Sequence, residues 1–525
     1  MTDDSSDAKL RPSHLPAAPV AAPRFTKSTP GRHPTPDLAA PADRSASGEA
    51  QGGEADRTPR GERHQPGKDA PLIAAQPRED ALPITKTQRW WEAGAGVLTA
   101  LVQLPLVALI AFDKGRFYYL GDAAKYLSLA VNLLEHHVFS RSLAPPFEPD
   151  ILLTPGYPAF VAMIFALTAR SEIAVVIVQA VLRGLTAWLL VRLGWQLFAS
   201  RAVGLTAGWV YAFAAVPYMF VGVLSPETLY TAVLMGTLVL FASRPALLKS
   251  IAAGFLAGLG VLIRPIALAA MWGLPLVELF RSRPARAVAR MALLFGVAGL
   301  VVAPWLLRNQ SLFGMAVLTS VSSHNLLNYV AASTLARAEG TSLAAGQERA
   351  NAIYREYVDQ HGAPLNAAQA AQDEQTVGLE ILRTHPLPAL TSVVVDSLNT
   401  LRPGVSYVAL FLWPGSLPTR PASGEDLSPA WGQTTHGPLL VLTVFLTLFY
   451  ASLFMLSGIG FVMCLRARNW FAVLVIVPVV LALVVAPGVA GNARFRVPFE
   501  PLLFLLAALA GTAAARRLRA ARARR

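Results

Sequence analysis

The sequence predicts an all-α polytopic membrane protein, on three observations. Hydrophobic residues fill 54% of the 525 positions and charged residues only 15%, whereas a soluble domain carries about 25% charge. The apolar residues fall in blocks of the size that crosses a bilayer, about 20 residues each. Basic residues gather in short links between these blocks (Arg281, Arg283, Arg286, Arg290; Arg466, Arg468) and in the tail Arg516, Arg517, Arg519, Arg522, Arg524 and Arg525. That is the bias of cytoplasmic loops that meet anionic headgroups. The same placement argues against a nucleic-acid partner despite the net charge of +13, because the charge sits at membrane edges.

Residues 1–89 are rich in Pro, Ala, Gly, Ser and charges of both signs, without apolar periodicity. They read as a disordered cytoplasmic tail, since they cannot bury enough apolar surface to offset ordering. A signal peptide does not fit, because the first apolar block begins only near Trp90 and Trp91, a pair suited to a membrane interface. An N-terminal transmembrane module follows over 90–307. Its first span is expected at 93–112, then an external loop at 113–154. Further blocks lie at 155–170, 172–198, 202–222, 226–243, 250–264, 266–280 and 290–307.

A polar region over 308–437 reads as external and mostly helical, with a helix-like stretch Leu343–Glu380 broken near Gly362-Ala363-Pro364. C-terminal membrane helices over 438–513 take the blocks 439–463, 470–486 and 498–513, and a basic cytoplasmic tail closes the chain at 514–525. With the basic links inside, the first loop and the 308–437 insertion are periplasmic. One inconsistency stands: 155–198 looks like two helices, yet Arg201 needs an odd number of crossings there. One block is split, one is re-entrant, or Arg201 is external, so about 11–13 spans are expected. The Gly254/Gly258 pair reads as helix packing. Cys464, the single cysteine, can form no intramolecular disulfide and reads as packed among apolar residues.

The loop after the first span reads Gly121-Asp122-Ala123-Ala124-Lys125-Tyr126, running on to Leu133-Leu134, and then Thr154-Pro155-Gly156-Tyr157-Pro158 enters a helix. Ser225-Pro226-Glu227, Arg308-Asn309-Gln310 and Arg494-Phe495-Arg496-Val497-Pro498 follow in order on the same face. Together these segments resemble the GT-C glycosyltransferases, in the bacterial branch related to protein O-mannosyltransferases and lipid A aminoarabinose transferases. The resemblance spans about 90–513. It implies a multi-pass protein of the bacterial inner membrane that takes a sugar from a polyprenyl-phosphate carrier. The acceptor would be a glycan, lipid or protein hydroxyl outside the cytoplasmic membrane, and the 308–437 segment would shape the acceptor site.

In this reading Asp122 matches the family's first-loop acid, the general base that takes the acceptor proton. Phosphate is a good leaving group, so the paired carboxylates of glycoside hydrolases are not required. Asp122 is equally a good helix N-cap. Lys125 could meet a phosphate or snorkel into solvent, and Tyr126 matches the family pattern but suits packing. Glu227, at a helix start where acids are favoured anyway, is the second catalytic candidate as a membrane-edge acid. Arg264, Arg494 and Arg496 are candidates for the lipid phosphate; arginines are scarce in outer loops, which sets the last two apart. Arg308 stands in a similar, weaker place. His136 and His137 are adjacent and lack the i, i+4 spacing of a zinc helix, so no metal ligand is assigned, while a divalent metal stays open.

The alternatives are a transporter or flippase of lipid-linked saccharide and a non-catalytic membrane assembly protein. A transporter would place charges mid-span and show internal repeats; here the charges read as lying at membrane edges and no repeat is visible.

Overall fold

The computed structural model describes residues 85–112, 122–412, 437–486 and 491–524, and among these it contains helices and no strand. Gly121, residues 1–84 of the expected tail, 113–121 of the first loop and 413–436 of the insertion lie outside the described residues.

The first apolar run is α1 (Lys86–Leu101) and α2 (Leu104–Phe112). It starts earlier than expected, inside the segment read as tail, because Thr85 and Gln88 form a reciprocal capping box. Then come α3 (Ala123–Glu135), α4 (Gly156–Leu167), α5 (Glu172–Phe198), α6 (Arg201–Tyr211), α7 (Ala215–Phe220), α8 (Glu227–Ala242), α9 (Leu247–Ile263), α10 (Ala267–Met271), α11 (Leu274–Arg281) and α12 (Pro284–Phe313). In the polar region, α13 (Val321–Asn325) runs through a π-helical turn, Leu326–Ala331, into α14 (Ala332–Glu339). There follow α15 (Leu343–His361), α16 (Ala367–Thr384), α17 (Pro386–Ser397), a 3-10 turn Leu398–Leu401 and α18 (Val405–Leu412). The gap between α15 and α16 falls at Gly362-Ala363-Pro364, where Gly362 takes the left-handed φ of 91°. The chain ends with α19 (Gly437–Arg466), α20 (Trp470–Val485), α21 (Ala493–Arg496) and α22 (Glu500–Ala523).

By length and composition, five helices among the described residues can cross a membrane: 86–112, α5, α12, α19 and α22. The other apolar blocks form shorter or broken helices. The apolar blocks at α4, α8, α9 and α20 form helices of only 10–17 residues. Two more are broken, α6 from α7 and α10 from α11.

Contacts sort the helix ends into two groups. The arginine end joins Arg516 to Ser200, Asn469 to the Leu197 carbonyl, Arg281 to the Phe241 carbonyl and Arg290 to Glu278 and Ser250. The other end, the site end, joins Thr154 to Ile263, Gln179 to Val221 and Val223, and Glu227 to Arg264 and Arg494. The short and broken helices α6–α7, α8, α9, α10–α11 and α20 run between the same two ends as the long ones.

α4 does not, and this settles the inconsistency between Pro155 and Phe198. Its 12 residues rise roughly 18 Å, short of the ~30 Å hydrocarbon core. It starts at the level of Gln179, which accepts from the Tyr157 hydroxyl, and runs back alongside the opening of α5. Block 155–170 therefore adds no crossing, and Arg201 returns to the arginine end.

Glycines bring the helices close where the site needs it. A Cβ at Gly156 would sit 2.7 Å from the Leu262 carbonyl, so only glycine lets α4 lie on the end of α9 just before Arg264. At Gly254 and Gly258 a Cβ would meet the carbonyls of Leu294 and Ala298 at 2.5 and 2.7 Å, which is the expected helix packing. Gly156→Val is expected to destabilise by about 1–3 kcal/mol, the usual cost of overpacking, read as a lowered Tm of the purified protein.

Candidate active site

Asp122 stands immediately before α3. Its backbone carbonyl accepts from the amides of Lys125 and Tyr126 at 2.9 and 3.1 Å, but its side chain makes no capping bond. The carboxylate is engaged elsewhere: Oδ1 accepts from Lys125 Nζ at 2.9 Å and Oδ2 from Arg494 Nη1 at 3.2 Å. The side chain keeps 36% of its surface exposed, so the carboxylate is open to an incoming molecule. Burial pushes its pKa up, but Arg494 and then Lys125 outweigh burial and hold it at about 2.

Arg494 comes from the short α21, whose N-cap Asn492 accepts from the Arg494 amide at 2.9 Å and from the Tyr407 hydroxyl at 3.1 Å. Arg494 Nε donates to Glu227 Oε1. Burial alone would lower the pKa of this guanidinium; Glu227 and Asp122 raise it instead, so it stays charged.

Glu227 begins α8 and is 0% exposed. The same Oε1 also accepts from Arg264 Nη1 at 3.0 Å. Arg264 follows α9 on extended backbone, and its guanidinium lies 5.0 Å from the centroid of the Phe495 ring. A helix start explains an acid at position 227, but the buried carboxylate is used to hold two arginines. The result is a chain, Lys125–Asp122–Arg494–Glu227–Arg264, with three cationic and two anionic side chains. Its surplus positive charge suits an anion.

Two expected residues are placed differently. Tyr126 is buried and packs edge-on against Tyr157 at 5.1 Å. It borders the cluster, and burial raises its phenol pKa well above the usual value. Arg496 turns away from the cluster entirely. It is 0% exposed, donates to Glu500 Oε2 at 2.9 Å and to the Thr400 and Arg402 carbonyls, and lies 3.9 Å from the Tyr450 ring centroid. Successive residues on a helical turn point about 100° apart, so Arg494 and Arg496 cannot both face one ligand. Arg496→Met leaves Glu500 buried and uncompensated. It is expected to cost about 3–5 kcal/mol, measured by thermal unfolding.

Several positioning residues were not anticipated. Gln179, inside the α5 apolar block, donates to the Val221 and Val223 carbonyls at 2.8 and 3.0 Å and so fixes the turn that delivers Glu227. Arg183, one turn on and 1% exposed, satisfies the carbonyls of Tyr211, Ala212 and Ala214 at the break between α6 and α7. This corrects the expectation that charges lie only at membrane edges: Arg183 is mid-span, spent on backbone. A polar residue inside an otherwise apolar block was the available signal for both.

Arg308 donates to the Asp150 carbonyl at 3.1 Å and lies 4.7 Å from the Trp305 ring centroid, tying α12 to the first loop. Ser320 and Thr319 tie the start of α13 to Ile151 and Leu152 of that loop. His136 caps the end of α3 and stacks on Phe147 at 4.6 Å. Among the described residues no three His, Cys, Asp or Glu side chains group as a metal site.

No family model matches the chain, and neither does any curated protein. Among solved structures, the chain is similar to the crystal structure of ArnT from Cupriavidus metallidurans in the apo state. The TM-score is 0.34 at 12% identity, over 81% of this chain and 77% of that one. It is also similar to that protein bound to undecaprenyl phosphate, with TM-score 0.35 and 14% identity over 81% and 78% of the two chains.

Proposed function

We propose that the chain is a GT-C type membrane glycosyltransferase. It moves a sugar from a polyprenyl-phosphate carrier to an acceptor hydroxyl at the outer face of the bacterial inner membrane. The observation that carries this reading is the convergence of Arg264 and Arg494 on one buried carboxylate, Glu227, with Arg494 also paired to the partly exposed Asp122. A partly exposed carboxylate paired with one half-buried guanidinium, and a second guanidinium on the same Glu227, is what transfer from a lipid-linked phosphate needs. The described external helices, beginning at α13, belong to the insertion that shapes the acceptor side.

In the reaction the acceptor oxygen bonds to the anomeric carbon as the bond from that carbon to the carrier phosphate oxygen breaks. The acceptor proton passes to Asp122, and the carrier leaves as polyprenyl phosphate. Arg494 and Arg264 bear the phosphate charge that develops on the leaving group, while Glu227 positions them without touching the sugar. A carboxylate held at about 2 is a weak proton acceptor. Phosphate binding counters this by drawing Arg494 away from Asp122. Lys125, on the exposed side, is placed to meet either anion. Arg183, the mid-span arginine, is spent on backbone carbonyls.

Because the folded pKa of Asp122 is depressed from 3.8 to about 2, its ion pairs contribute stability that is present above pH 3.8 and lost as pH falls through about 2. Melting curves of wild type and Asp122→Asn are therefore expected to differ at pH 5 and converge toward pH 2. The enzymatic test is incubation of the purified chain with polyprenyl-phosphate-linked hexoses and pentoses plus envelope lipids. Release of polyprenyl phosphate supports the reading, and no release with any sugar sinks it.

A further inference from the structure

α17 is amphipathic the wrong way round for a helix on a soluble domain. Ala389, Ser392, Asp396 and Ser397 are its buried positions. They face α14 through a polar network: Ser333 donates to Asp396 Oδ2 at 2.8 Å, and Arg337 pairs with Asp396 Oδ1 at 2.5 Å and donates to Ser392 Oγ at 3.1 Å. The opposite face carries Leu387, Leu390 and Val394, with Leu398 following at the C-cap, exposed by 75, 61, 55 and 55%. Their spacing of three and four residues makes a single stripe along the helix. Each such side chain would gain about 1.5–3 kcal/mol on leaving water, so a stripe of this kind marks a contact.

The position of α17 identifies the occupant. The Ser397 hydroxyl reaches the Val485 carbonyl at 3.5 Å, at the site end of α20. Leu481 and Val485 of that helix are exposed as well. α17 thus meets α20 at its site end, where that apolar helix finishes. Beyond it, Thr400 and Arg402 offer the carbonyls that Arg496 clasps, and Arg496 shares α21 with Arg494.

We infer that α17 is an interfacial helix whose Leu387–Leu390–Val394–Leu398 face inserts among the lipid chains of the leaflet at the site end. Lying in the plane of the interface, it sets the depth at which α21 holds Arg494. This stands whether or not the site transfers sugar.

The test uses full-length protein in lipid nanodiscs, with Cys464→Ala as background and a bimane label on Leu390→Cys or Val394→Cys. Glu380→Cys, at a position 66% exposed on α16, is the aqueous control. Brominated phospholipid is expected to remove most of the emission at 390 and 394 and little at 380, and a water-soluble nitroxide the reverse. The proposal is overturned if the aqueous quencher reaches 390 and 394 as readily as 380. It is equally overturned if both quenchers are excluded and the two sites cross-link between copies, since the face would then be a protein interface.

Discussion

Asp122→Asn is expected to lower sugar transfer by about 10²- to 10⁴-fold, the usual worth of a positioned proton acceptor, while the protein inserts and folds. The backbone bonds that start α3 run from the Asp122 carbonyl and survive the change. Asparagine keeps the shape and still accepts a hydrogen bond from Lys125, but it cannot take a proton. The rate should stay low at every pH, because no titratable group remains at the position. Transfer of labelled sugar by equal amounts of folded wild type and variant measures the effect, and full activity in the variant would remove Asp122 from the mechanism.

Arg494→Ala should be the most damaging single change in the cluster, because it acts on both binding and folding. Losing charge-assisted bonds worth about 1.5–3 kcal/mol weakens polyprenyl phosphate binding roughly 10- to 100-fold. Glu227 keeps Arg264 as an ion-pair partner, so the stability loss is expected below the roughly 3–5 kcal/mol of a fully uncompensated buried charge. The double variant Glu227→Gln/Arg494→Ala separates the two effects: the Tm should recover toward wild type, whereas carrier binding and transfer should not. Recovery of transfer in the double variant would mean that Arg494 serves only to neutralise Glu227.

The membrane character of the chain was legible because lipid imposes long apolar blocks, and every block appears as a helix or a broken pair of helices. What those blocks did not disclose was their length in space. Block 155–170 is as apolar as its neighbours, yet α4 has 12 residues and turns back at the start of α5. Hydropathy measures the surroundings of a segment and not whether it reaches the far side. The breaks in α6–α7 and α10–α11 were hidden for the same reason.

At the site, Asp122, Glu227, Arg264 and Arg494 come together. Their pairing was not legible, since it depends on contacts across 267 and 372 positions of sequence. Arg494 and Arg496 looked equivalent because both flank Phe495, and only the helical turn of α21 turns one toward Asp122 and the other toward Glu500. Gln179 and Arg183 are masked in a block whose hydropathy is apolar throughout, although a mid-span polar group must find a partner. Here the partners are the carbonyls freed where the neighbouring helices break.

The most direct test of the central claim is release of polyprenyl phosphate from a polyprenyl-phosphate-linked sugar by the purified chain, run beside Asp122→Asn and Arg494→Lys. Release by wild type, its loss in Asp122→Asn and a weakened KM in Arg494→Lys are expected. Release that persists unchanged in Asp122→Asn, or binding of the carrier that ignores Arg494, would contradict it.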